Sequence, residues 1–179
     1  MLLYFLIFVL PVIALVSLIL YLPWLLTHRK SFSYHLVRYG LLGYGLSLLY
    51  LTILWYYPDI TFQPEYYFYN LRPFVWLTQV YDMGVKKMVE QLVLNVGMFV
   101  PLGLLLPLVF RKMRTFLPTV LGVLATTLSI EVFQFFIGRS ADIDDVIMNL
   151  LGGIIGYGLF RLLDKLFRNK SWWHQLLTY

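Results

Sequence analysis

Apolar residues fill this chain in runs that are too long and too uniform for the face of a soluble helix. Residues 2–26, 36–57, 92–110, 116–137 and 143–163 each run close to the length of about twenty residues that an α-helix needs to cross bilayer hydrocarbon. Short polar or basic turns separate most of them. The pattern predicts an all-α, polytopic membrane helical bundle of five transmembrane helices. Pro11 and Pro23 are expected to bend the first, a distortion that membrane helices accept when neighbours re-satisfy the backbone. Gly40, Gly43 and Gly45 give the second a smooth face for close packing. The connection over 58–90 is too long for a structureless loop in a compact bundle and is rich in Tyr, Phe and Trp. It reads as an aromatic outer loop or lid. Asn70-Leu71-Arg72-Pro73-Phe74 would dip beside a polar pocket, and 75–90 would form a surface helix leading into the third span.

Composition agrees. The 179 residues are 60% hydrophobic and 13% charged, with a mean hydropathy of +0.76, which leaves too little polar surface for a soluble domain. There is no cysteine, so disulfides and thiolate metal sites are excluded. Residues 2–26 lack a basic leading region and are followed by His28-Arg29-Lys30, unlike an ordinary signal peptide.

The net charge of +5 gains meaning from its distribution. With the N-terminus outside and the C-terminus inside, Arg29, Lys30, Arg38, Arg111, Lys112, Arg114, Arg161, Lys165, Arg168 and Lys170 collect on the cytoplasmic side. Arg72, Lys86, Lys87 and Arg139 remain outside. That asymmetry is the positive-inside pattern and matches anionic membrane lipid as a partner. No recognition motif accompanies the basic residues, so no nucleic acid is expected. The tail closes with Trp172 and Trp173, expected at the membrane interface with the histidines His28, His35 and His174.

Against this background, residues 129–156 stand out. They carry Glu131, Gln134, Arg139, Asp142, Asp144, Asp145 and Asn149 between apolar flanks. A charge in hydrocarbon is costly unless it is paired or faces a polar cavity. Glu131 and Asn149 each lie six residues from the turn between the fourth and fifth spans, a depth of about 9 Å at the helical rise. Asn95 enters the same slab from the third span. The expected geometry sets Glu131 and Gln134 against Asp145 and Asn149 across two antiparallel helices, which Gly152, Gly153 and Gly156 allow to approach closely. Arg139 would sit on the rim, its planar fork suited to a carboxylate or phosphate, with Arg72 a second cation nearby. Structural roles compete with these. Asp142 suits a helix N-cap and Asp145 a first turn. Asp144 reads as solvated. Gln134 and Asn149 would satisfy each other, Asn95 could make a helix–helix hydrogen bond, and Glu131 could pair with Arg139. The pattern contains no metal site, no cofactor signature and no nucleophile–base pair of the serine-hydrolase kind.

Taken in order, several of these residues resemble the VanZ family, membrane proteins named for glycopeptide-antibiotic resistance, chiefly toward teicoplanin. The likeness covers about 70–160 and rests on a set of short stretches. They are Asn70-Leu-x-Pro-Phe74, Asn95 with Phe99-Val-Pro-Leu-Gly103, Ser129-Ile-Glu131 with Gln134, and Arg139-Ser-Ala-Asp-Ile-Asp-Asp145 followed by Asn149 and Gly152-Gly153. Arg72 stands where the family pattern has an apolar residue. The resemblance divides the chain into two N-terminal transmembrane helices (1–57), a VanZ-like core of outer loop plus three helices (58–163) and a basic, aromatic cytoplasmic tail (164–179). It implies a multi-pass protein of the bacterial cell membrane.

Three functions fit. The first is an outward-facing polar pocket formed by Arg139, Glu131, Gln134, Asp142, Asp145, Asn149, Asn95 and Arg72. It would bind a cell-envelope ligand: a lipid-linked wall precursor, a wall peptide, or a glycopeptide antibiotic such as teicoplanin. The second is an intramembrane enzyme using a desolvated Glu131 and a more solvated Asp145 as catalytic acid and base. The third is a lipid transporter or flippase, which the apolar inner halves of the spans disfavour. Oligomeric state is open.

Overall fold

The structure is a computed structural model and describes residues 4–55, 68–75 and 84–177. Helix α1 spans Phe5–Thr27. Its first turns, Phe5–Val9, are widened to π-helix just ahead of Pro11, whose ring crowds the preceding turn and whose nitrogen cannot donate. Helix α2, Phe32–Thr52, begins at Ser31, whose hydroxyl accepts from the Tyr34 N–H. A two-residue strand β1, Tyr69–Asn70, follows. Helix α3 is Val85–Val109 and α4 is Phe116–Phe136, joined through a 3-10 turn at Arg111–Met113. Strand β2, Ala141–Asp142, leads into α5, Ile143–Phe167, and the short α6, Ser171–Leu176.

The all-α bundle is therefore as the apolar pattern predicts. Among the described residues, four helices, α1, α3, α4 and α5, are long and apolar enough to cross a membrane. Helix α2 has 21 residues but is diluted by polar groups such as His35 and Arg38 and falls short in hydropathy. The third and fifth elements are longer than expected, because Val85–Gln91 and Asp164–Phe167 continue as amphipathic turns beyond the apolar runs. Within the expected surface helix over 75–90, positions 76–83 lie outside the described residues, as do Tyr56, Tyr57, Tyr66 and Tyr67 of the aromatic loop.

The closest helix pair is α3 with α5. A β-carbon at Gly103 would lie 1.9 Å from the carbonyl oxygen of Gly153, and one at Gly156 would lie 2.1 Å from that of Val100. No side chain fits between these backbones. The expectation that 152, 153 and 156 bring α5 mainly onto α4 needs correcting. Gly152 and Gly156 face α3, and Gly153 also faces α4, against Val123. Successive residues step about 100° around a helix, so adjacent glycines serve two neighbours. Around this crossing, Phe99, Leu102 and Leu106 of α3 pack with Val123 and Ile130 of α4 and Leu48 of α2. The remaining faces expose leucine, valine, isoleucine and phenylalanine, among them Leu121, Phe133, Ile155 and Leu162. So continuous an apolar exterior suits lipid contact.

At the basic end, α6 folds back on the bundle. Arg114 donates to the Leu177 carbonyl (2.7 Å) and Arg38 to that of Val109 (3.1 Å). Two interfacial expectations are corrected here. Trp173 is buried against Phe160 and donates its indole N–H to Asp164 (2.8 Å), leaving only Trp172 exposed. His35 is buried between α1 and α2, bonded to the Tyr21 hydroxyl and the His28 carbonyl, both at 2.9 Å. A buried ring with two nitrogens needs two partners, and both were available only after folding.

Candidate functional site

The opposite end of the bundle is organised by the turn between α4 and α5. Gly138, at φ +80°, ends α4, and the Arg139 N–H reaches back to the Gln134 carbonyl at 2.8 Å. The chain then extends through Ala141–Asp142 and pairs in parallel with Tyr69–Asn70. Asp142 caps α5 as expected. Its carboxylate accepts from the Asp144 N–H (2.9 Å) and also from the Asn70 side-chain amide (3.0 Å).

Asp144 overturns the solvated reading. It is 6% exposed, and its two oxygens accept from the Phe74 N–H (2.6 Å) and the Val75 N–H (2.9 Å). Phe74 itself has a left-handed backbone, φ 65°, an unfavourable state for a bulky residue unless surrounding contacts enforce it. The segment 68–75 is thus latched onto the start of α5 by a strand pair, an amide–carboxylate bond and two backbone–carboxylate bonds. It lies against the turn between α4 and α5. Arg72 is solvent-exposed, with its backbone N–H held by the Asn70 side chain (3.0 Å).

Beneath the latch, Glu131 of α4 is 6% exposed and accepts from the Asp142 N–H through Oε2 (2.8 Å). Asp145 of α5 accepts through Oδ1 from Asn95 of α3 (2.5 Å). The helix–helix bond expected of Asn95 is present. Glu131 lies within electrostatic reach of Asp142, Asp145 and Arg139, and Asp145 within reach of Asp142, Arg139 and Asp144. Asn95 of α3, Glu131 of α4 and Asp145 of α5 therefore come together at this end of the bundle. Among the described residues, Oε1 of Glu131 and Oδ2 of Asp145 take no protein hydrogen bond.

The remaining candidates go elsewhere. Gln134 faces α2: its amide donates to the carbonyl of Thr52 at 3.1 Å, and Arg139 donates to the same oxygen at 2.9 Å. Thr52 is the last residue of α2, so its carbonyl lacks an intrahelical donor and needs capping. Asn149 lies deeper, donating to Thr127 of α4 at 2.9 Å, and its own carbonyl oxygen is buried with no partner. The expected mutual bond between Gln134 and Asn149 is not formed, and Glu131 and Asn149 make separate contacts. Thr52, Thr127 and Asn70 are the residues that sequence reasoning missed as site partners. Thr52 acts through its backbone, which no motif signals. Asn70 was visible, two residues ahead of the amide it holds in an Asx-type turn. Among the described residues, no three His, Asp or Glu side chains converge as a metal ion would require.

The family model described as VanZ/LLP1 matches residues 41–164, well over half of the chain. The chain belongs to the VanZ family. The match runs from the middle of α2 through most of α5, and so takes in every residue of the acidic end described above. Protein VanZ of Enterococcus faecium is 33% identical over 138 residues, covering 73% of this chain and 81% of that protein. No solved structure matches. With its long apolar helices, this VanZ-family protein is a multi-pass bacterial membrane protein.

Proposed function

We propose that this VanZ-family protein binds a cell-envelope ligand at its acidic end, which faces outward. The observation that supports this most is the pair of uncommitted carboxylate oxygens on Glu131 and Asp145, contributed by two helices and backed by Asp142. Helix caps and interhelical bonds account for one oxygen of each. The second oxygens are left available to a donor from a ligand, such as an amine, amide or hydroxyl. Arg139, which caps the Thr52 carbonyl, also brings positive charge within reach of Glu131, suited to a ligand carboxylate. Donors together with a carboxylate describe a peptide, so the reading favours the wall-peptide portion of a lipid-linked precursor or a glycopeptide antibiotic. Either would account for a family association with teicoplanin-type resistance, through masking the target or holding the drug. Residues 68–75 would act as the fixed wall of the site.

The test uses the protein in lipid nanodiscs with a lipid-linked wall precursor and, separately, teicoplanin. Glu131→Gln keeps an acceptor for the Asp142 N–H and removes the charge, while Arg139→Ala removes the fork. Binding weakened tenfold or more in both, with unchanged melting, is the expected result; wild-type affinity in both overturns the proposal. A precursor chemically altered by the wild type but not by Glu131→Gln would instead establish the acid–base enzyme. The outward orientation is checked separately. The chain has no cysteine, so single cysteines at positions 139 and 165 are the sole thiols, and an impermeant reagent should label the first and spare the second.

A further inference from the structure

At the basic end, away from the acidic cluster, α5 and α6 enclose an open groove of about 540 Å³. Its floor is apolar, formed by Phe160 and Trp173, which are 2% and 3% exposed. Its rim carries Arg114, Arg161 and Arg168. Arg161 and Arg168 are seven residues apart and therefore share one face of α5, two turns from each other. A second groove on their other side is lined by the same two arginines together with Lys165 and Leu162.

Among the described residues, a single carboxylate, Asp164, lies among these cations. It accepts the Trp173 indole N–H and makes no ion pair with Arg161 or Arg168, both of which are exposed. Positive charge from Arg161 and Arg168 thus gathers beside an apolar floor, with no ion pair to either among the described residues. Arg161 lies six residues before the end of α5 at Phe167, about 9 Å along the axis, and exposed Leu162 and Leu166 flank it on the outer surface of the helix. An anion with an apolar tail matches that arrangement of exposed arginines beside exposed leucines. Free phosphate, nucleic acid and acidic protein would leave the exposed apolar flank of Leu162 and Leu166 unused.

We infer that this groove is a binding site for an anionic phospholipid, its phosphate held by Arg161 and Arg168 and its acyl chains lying along Leu162 and Leu166. The proposal is independent of what the acidic end binds. Trp173 and Asp164 then have a shared role. The indole bond fixes α6 as one wall and commits one oxygen of the Asp164 carboxylate.

The experiment is native mass spectrometry of the full chain with phosphatidylglycerol or phosphatidylcholine of the same acyl composition. Phosphatidylglycerol should be retained in preference. In Arg161→Gln/Arg168→Gln its affinity should fall about twenty-fivefold, about fivefold for each cation near an anionic surface, while phosphatidylcholine binding stays the same. Asp164→Asn preserves an acceptor for the indole and should strengthen phosphatidylglycerol binding severalfold. This variant carries the test alone if the double variant does not fold. Equal retention of the two lipids, wild-type phosphatidylglycerol affinity in either variant, or displacement of the lipid by millimolar inorganic phosphate overturns the inference.

Discussion

Asp144→Ala should release the latch over the acidic end without unfolding the bundle. In the wild type, the Asp144 carboxylate receives the Phe74 N–H at 2.6 Å and the Val75 N–H at 2.9 Å from a position 6% exposed. A hydrogen bond to a charged group contributes about 1.5–3 kcal/mol net, and the two donors can rehydrate at this end of the bundle. The lower figure applies to each, which sums to about 3 kcal/mol. At 1.4 kcal/mol per factor of ten, the open state of the segment becomes about a hundredfold more populated. Amide hydrogen exchange by mass spectrometry reads that population directly. Peptides covering 68–75 should exchange about a hundredfold faster in the variant, while α3 and α5 keep their protection. Asp144→Asn retains one acceptor oxygen and should show about half of the free-energy effect. Unchanged exchange at Phe74 and Val75 would refute the latch. Equal acceleration through α5 would show that Asp144 supports the whole helix and not one segment.

Two further predictions concern the helix contacts. Gly103→Ala places a methyl where the Gly153 carbonyl already lies and must push α3 from α5, a cost of about 1–3 kcal/mol. The melting temperature in detergent should drop, whereas Gly45→Ala, with nothing within 4 Å of the added carbon, should leave it in place; equal melting of the two would refute the close crossing. Thr127→Val alone strands the buried Asn149 amide beside an oxygen that already lacks a partner, and should cost about 1–3 kcal/mol. Adding Asn149→Leu removes both polar groups and should recover most of that loss, so strictly additive melting shifts would show that the two residues do not interact.

Much of this architecture was legible from the amino acids in order. Runs of apolar residues report directly on burial in hydrocarbon, so the helices and the basic ends could be read without a partner. Local chemistry was equally visible where both partners are near in sequence or share a depth. Asp142 caps the helix that starts at the next residue, and Asn95 meets Asp145 because both enter the bundle from the same end at the same level. Other features depended on which helix faces which. In lipid every apolar face is equally acceptable to the solvent, so hydropathy cannot choose neighbours, and small residues and backbone contacts make that choice. Gly152 and Gly156 therefore turned out to serve α3, which is remote in sequence. The partners of Gln134, Arg139 and Asp144 are backbone groups of Thr52, Phe74 and Val75, and a backbone amide or carbonyl carries no signature of its own. Only the folded chain could bury Asp144 and Trp173, because each needed a partner delivered by another element before its polar group could leave water.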